Sequence, residues 1–269
     1  MAPVTCKEIE RYIRTSYGYG NVNADCWIIG IEQHCDGGGK NIEMRISKWG
    51  SKPFQDLKTY HQSIGGIQYC KDGEPTLSRT WSRLICFLKG LQGEPYPEER
   101  IDIKKFQKQQ LGTRHGKNCL LELLPLPSPS TKRANWPRIY TKKWAKQYPR
   151  LSFLKERETY ERMVRPKRIR KIQNLLNRLS KSPAGGPRVV LFYGKGFEED
   201  WYKIAGWELP ERLGAERWGN VTYWQKGRTW FVSTNHVAGR GSLKKRECHE
   251  LGDFLRRKVA SDAKNKTEE

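Results

Sequence analysis

Four short apolar runs, each stopped by turn residues, constrain this chain more than any other feature. They are Cys26-Trp27-Ile28-Ile29 before Gly30, Cys119 to Leu124 before Pro125, Val189 to Tyr193 before Gly194, and Trp230 to Ser233 near Asn235. Each has the length of a strand. Their nearly continuous apolar character is that of strands covered on both faces. Helical spacing falls between and after them: Ser78 to Leu91, Phe197 to Ala205, and Ser242 to Val259. Val221 to Trp224 and Thr229 to Phe231, joined through Gln225 to Arg228, predict a hairpin feeding the fourth strand. Strands alternating with helices predict a three-layer α/β/α fold around a central, mostly parallel four-stranded sheet. The chain of 269 residues reads as one domain with a polar tail over 261–269.

One stretch breaks the alternation. Between Thr131 and Lys181 there are 17 Lys or Arg and 3 Glu, the larger part of a formal net charge of +22. Trp136, Tyr140, Trp144 and Tyr148 alternate with the cations, and helical spacing runs through Ile169, Ile172, Leu175, Leu176 and Leu179. This predicts an inserted basic helical arm that grips phosphate and stacks on bases, with a solvated helix face as the plainer alternative. So large a surplus opposes folding by self-repulsion and points to a polyanionic partner, DNA first. A membrane surface would require an amphipathic helix with a broad apolar face, and none stands out.

The seven cysteines form no CxxC pair, which argues against a disulfide framework and a zinc finger. Cys26, Cys86 and Cys119 sit in apolar runs as small buried hydrophobes. Cys248-His249 reads as part of the last helix. The first residues carry no apolar leader, and a cytoplasmic location is expected. No cofactor or metal is expected.

The chemistry should lie beyond the carboxyl ends of the strands. The first strand runs into Gly30-Ile31-Glu32-Gln33-His34 and the loop Cys35 to Gly39. There a carboxylate precedes three glycines whose N–H groups can face a phosphate and whose backbone leaves room for a ligand. The second strand carries Glu122, costly inside a sheet unless paired or functional, and ends at Pro127-Ser128-Pro129-Ser130. The alternative for Glu122 is a strand-end residue reaching solvent. The fourth runs into Asn235-His236-Val237 and then Gly239-Arg240-Gly241-Ser242, opening the last helix.

Taken in order, these strand ends resemble the uracil-DNA glycosylase superfamily. Gly30-Ile31-Glu32 stands where the family has its first motif, so the resemblance gives Glu32 the catalytic place. Pro53-Phe54 is similar to the Pro-Phe whose ring stacks on the flipped base, and Gln33 lies beside it in the base site. Glu122 stands where a branch carries a base-reading Asn. Val190 to Lys195 resembles the apolar strand ending in Gly-Lys. His236 to Ser242 resembles the last motif, which gives His236 a catalytic role and makes Arg240, with Val237, a wedge into the duplex. The prolines that follow the first and last motifs are replaced by Gln33-His34 and Val237, and the iron-sulfur cysteines are absent.

The resemblance implies a monofunctional, monomeric glycosylase acting on DNA, double-stranded with a flipped base or single-stranded. Ser128, Ser130, Lys132, Arg133, Lys142, Lys143, Lys195, Arg240 and Ser242 are its expected phosphate contacts. An ionised Glu122 only accepts hydrogen bonds, so it would repel uracil O4 and suit the N4 amine of cytosine. The expected substrate is therefore a cytosine-type or hypermodified base, of the kind viral DNA supplies, with antiviral defence as a setting. The rivals are a non-catalytic nucleic-acid binder and a metal nuclease using Glu32, His34, Asp36 and Glu122.

Overall fold

The computed structural model describes residues 3–66, 69, 75–130, 132–182, 185–207, 215–237 and 241–265, with side chains except those of 133, 195 and 263–265. In chain order the elements are α1 (Cys6–Thr15), β1 (Gly18–Gly20), β2 (Cys26–His34), α2 (Gly39–Trp49), β3 (Phe54–Gln55), α3 (Leu57–Ser63), α4 (Arg79–Leu91), α5 (Arg100–Gln109), β4 (Asn118–Ser128), α6 (Ala145–Gln147), α7 (Arg157–Ser180), β5 (Val189–Tyr193), α8 (Glu198–Ala205), β6 (Glu216–Trp218), β7 (Val221–Lys226), β8 (Thr229–Thr234) and α9 (Lys245–Asn265).

The sheet has eight strands in the order β3-β1-β4-β2-β5-β8-β7-β6. The four apolar runs are its middle, β4-β2-β5-β8, and these four are parallel throughout. Residues 26–31 of β2 and every residue of β5 and β8 are buried, which means that both faces of the central sheet are covered. The expected four-stranded sheet is thus its core, widened on both sides into a mixed sheet. On one side β1 runs antiparallel to β4 and carries β3; on the other, the expected hairpin pairs β7 with β8, and β6 follows. β1 and β3 are too short to show a period, and β6 is mostly exposed, so nothing in their composition marks them as strands.

Ser78 caps α4 by accepting from the Trp81 N–H, so the helix begins where the sequence placed it. The last helix begins three residues later than expected and extends through Asn265, so residues 261–265, expected as tail, are helical.

The basic segment is a built-in part of the fold rather than an arm. Trp136, Tyr140 and Trp144 are buried, and the first two anchor to backbone, Trp136 Nε1 to Leu154 O and Tyr140 Oη to Pro127 O. They are core residues and are not available to stack on a nucleotide. A π-helical turn, Ile139–Trp144, and a 3-10 helix, Pro149–Lys155, lead into α7. Helix α7 buries a stripe of Arg157, Tyr160, Val164, Arg168, Ile172 and Leu176, pairs the half-buried Arg165 with Asp200, and leaves its other cations in solvent. Among the described residues no helix is long and apolar enough to cross a membrane.

Candidate active site

The strand order reverses at β2: the chain moves from β2 to β4 on one side, then returns to β5 and β8 on the other. A ligand crevice is expected beyond the carboxyl ends at such a point. A cavity of about 490 Å³ lies there, and Glu32, Gln33, Glu122, Ser128, Ser130 and His236 all line it. The sequence therefore named six residues that the fold brings together from three strand ends.

Gly30 shapes the floor. It pairs with Glu122 across β2 and β4, and a Cβ placed on it would lie 2.1 Å from Tyr193 Oη and 3.0 Å from Glu122 Oε2. Only glycine lets those side chains lean over β2 from its two neighbours. Glu32 is two residues further along, so it rises from the same sheet face as Gly30 and Glu122, nearer the mouth.

The two carboxyls are held differently. Glu32 Oε2 accepts from Arg157 Nη2 at 2.8 Å, in an ion pair where both side chains are at most 5% exposed. The same guanidinium donates to Ser128 Oγ, to Ser130 O and to Glu161. Glu32 Oε1 is sealed from solvent without a partner. Glu122 has its backbone carbonyl held by Arg168 at 2.7 Å, while its own Oε2 is likewise buried and unpaired. Its remaining accessible surface faces the cavity.

Burial pushes the Glu32 carboxyl up to about 7, against the opposing pull of Arg157. Burial, then the nearby Glu32 charge, pushes Glu122 up to about 8. Burial thus pushes both carboxyls toward their protonated forms, Glu122 further than Glu32. That corrects the expectation of an ionised Glu122: a protonated carboxyl is both donor and acceptor, as an amide is, and it rejects uracil only when it ionises.

His236 closes the mouth, its ring edge-on to Tyr193 at 5.5 Å. Burial and the Arg83 charge lower its pKa, which leaves a neutral imidazole able to donate. Arg83, from α4, donates to Val237 O and, at 2.5 Å, to Ser242 Oγ, strapping the loop that carries His236.

Several expected sites lie elsewhere. Phe54 is half-buried, stacked on Tyr17 at 5.6 Å, and does not line the cavity. Val237 is buried, which rules it out as a wedge. Ser242 is engaged by Arg83, and Ser128 is buried between Ser130 O and Arg157, so neither hydroxyl is presented to a phosphate. Ser130 Oγ accepts from Lys132 N and Asn135 Nδ2 at the cavity rim. Lys132, Lys142 and Lys143 are exposed, with Lys143 paired to Glu43. Arg133 and Lys195 sit in short 3-10 turns, their side chains outside the described set, and Arg240 lies outside the described residues.

The glycine loop does not supply room. A Cβ on Gly37 would meet Pro129 at 2.9 Å, one on Gly38 would meet Asp36 at 3.2 Å, and one on Gly39 would meet Ile139 at 3.2 Å. These glycines allow close packing. Among the described residues no group of three or more His, Cys, Asp and Glu side chains is placed to hold a metal, so Glu32, His34, Asp36 and Glu122 do not form a ligand set.

Sequence reasoning missed Arg157, Arg83, Tyr193, Tyr19, Trp81 and Arg45. Tyr193 was legible, since it ends a strand one residue before Gly194. Arg157 was not, because nothing in a segment rich in cations separates the ones that turn inward; Arg45 and Arg83 lie on α2 and α4, where no local pattern marks their inward turn. The chain matches no family model and no curated protein.

Proposed function

We propose that the protein is a monofunctional DNA glycosylase that hydrolyses the N-glycosidic bond of a flipped, modified base, cytosine-type or hypermodified. The observation that best supports this is the pair of unsatisfied carboxyl oxygens, Glu32 Oε1 and Glu122 Oε2, in one cavity with a neutral histidine. Buried polar atoms without partners are costly, and they are retained where a ligand completes them.

Extruding a base costs a few kcal/mol, roughly. Exposed cations such as Lys132, Lys142, Lys146 and Arg150 offer phosphate contacts to offset it. As the glycosidic bond breaks, its electron pair leaves with the base and positive charge gathers on the sugar. The Glu32 carboxylate stabilises that charge, while Arg157 stops the carboxylate from swinging away. Water adds to the sugar carbon and its proton passes to Glu32. The His236 N–H steadies the departing base at O2. Preorganised groups of this kind contribute about 2.7–4 kcal/mol each. Protonated Glu122 gives its O–H to cytosine N3 and accepts from the N4 amine.

In this reading the protein acts as a cytoplasmic monomer, and modified viral DNA is the setting that supplies such bases. Duplexes carrying one uracil, hydroxymethylcytosine or sugar-bearing hydroxymethylcytosine test it. The expected product is an abasic strand that breaks only in alkali or heat. Direct breaks abolished by a chelator identify a nuclease, and intact DNA identifies a binder; either result overturns the proposal. Faster release of uracil than of any modified base overturns the assigned substrate.

A further inference from the structure

The cavity is deeper than a pyrimidine requires. It follows one sheet face from Glu32 at the mouth, past Gly30 and Glu122, to Ile28 on β2 and Leu120 on β4. Glu32 to Ile28 is four strand residues, about 13 Å at ~3.3 Å per residue. A base entering by its Watson–Crick edge reaches Glu122 and leaves the inner half unfilled.

That inner half has a chemistry of its own. Leu57 of α3, Leu84 of α4 and Leu120 make it apolar, and the half-buried Trp81 presents an aromatic wall. Tyr19, from β1, is 3% exposed and lines the cavity, its buried hydroxyl lying near the Gln33 side chain. Its ring is fixed by Trp49 at 5.5 Å and Tyr60 at 5.6 Å, so the hydroxyl cannot turn away to find solvent. Thr80 adds a second hydroxyl. Apolar and aromatic surface interrupted by isolated hydroxyls suits a ring with alternating C–H and O–H groups. Arg45 is buried beside this compartment, held by Asn41 and Gln33, and its charge disfavours an ammonium substituent.

We propose that the compartment lined by Trp81, His61 and Tyr19 receives a hydroxyl-bearing ring, a hexose, carried on C5 of the base beside the edge that faces Glu122, and that this substituent selects the substrate. The inference rests on the excision reading for its context, but binding tests it separately.

The test uses the full chain and three duplexes that differ only at one residue: cytosine, hydroxymethylcytosine and glucosylated hydroxymethylcytosine. Binding and base release are both measured. At least tenfold tighter binding of the glucosylated duplex than of the hydroxymethyl one is expected, with release following the same order. Trp81→Ala should abolish that preference, and Tyr19→Phe, which keeps the ring and fold, should reduce it severalfold. Glucose preference in binding with no release of any base supports the compartment and overturns the excision reading. Equal or weaker binding of the glucosylated duplex, or a preference unchanged in both variants, overturns the compartment and leaves excision standing wherever a base is released.

Discussion

The inward and outward faces of α7 carry the same residue types and do different work. On the outward face Arg162, Lys167 and Arg170 are exposed. On the inward face Arg157 and Arg168 are at most 3% exposed, and each grips one acidic residue of the cavity, Arg157 the side chain of Glu32 and Arg168 the backbone of Glu122. The two are eleven residues apart, about three helical turns, and so share a face. Arg168 also lies over the Tyr17 ring at 4.3 Å. The cations of this segment therefore divide into a solvent-facing set and two internal clamps that fix where the acidic residues stand.

Arg157→Met should show the contrast most strongly. It strands Glu32 in a buried site, and breaking a buried pair costs about 3–5 kcal/mol. A fall in the unfolding free energy of that size, with base release impaired more than DNA affinity, is expected. A stability change under about 1 kcal/mol would place Arg157 with the outward cations.

The carboxyl pair comes next. Both groups hold protons more tightly in the fold than in the unfolded chain, so their contribution to stability is full below the ordinary Glu value. It is lost as pH climbs through about 7 and about 8. Glu122→Gln removes one of these titrations. Its melting temperature relative to the parent should therefore rise between the ordinary Glu value and about 8 and level off above it, and a flat difference from pH 5 to 9 would contradict the assignment. Base release should follow a bell with flanks near 7 and 8, the acid limb from Glu32 and the basic limb from Glu122.

The weakest response belongs to the outward face. Replacing Arg162, Lys167 and Arg170 with alanine should leave stability within about 0.5 kcal/mol per site. Affinity should fall alike for every DNA sequence, and the salt dependence should flatten by about 0.9 for each phosphate no longer neutralised. An unchanged salt slope would move the DNA-binding surface to another face.

The central four strands were legible because β2, β4, β5 and β8 must be apolar on both faces, and that leaves a continuous run in the sequence. Glu32, Glu122 and His236 were legible because they interrupt or end those runs. What escaped reading was what depends on partners far along the chain. Trp136, Tyr140 and Trp144 look identical in sequence whether they face solvent or core, and here the hydrogen bonds of the first two to Leu154 and Pro127 fix them inside. Phe54 followed a motif, yet β3 turns its ring onto Tyr17. The upward push on the Glu122 carboxyl comes from burial, which no local pattern states.

Whether Glu32 drives base excision is decided by mass spectrometry of the free base released from a duplex with one modified cytosine, by the parent protein and by Glu32→Gln. A base peak and an alkali-labile strand are expected with the parent, and neither with the variant at undiminished DNA affinity. Release by the variant at the parent's rate, or no release by the parent from any of the duplexes, would contradict the excision mechanism.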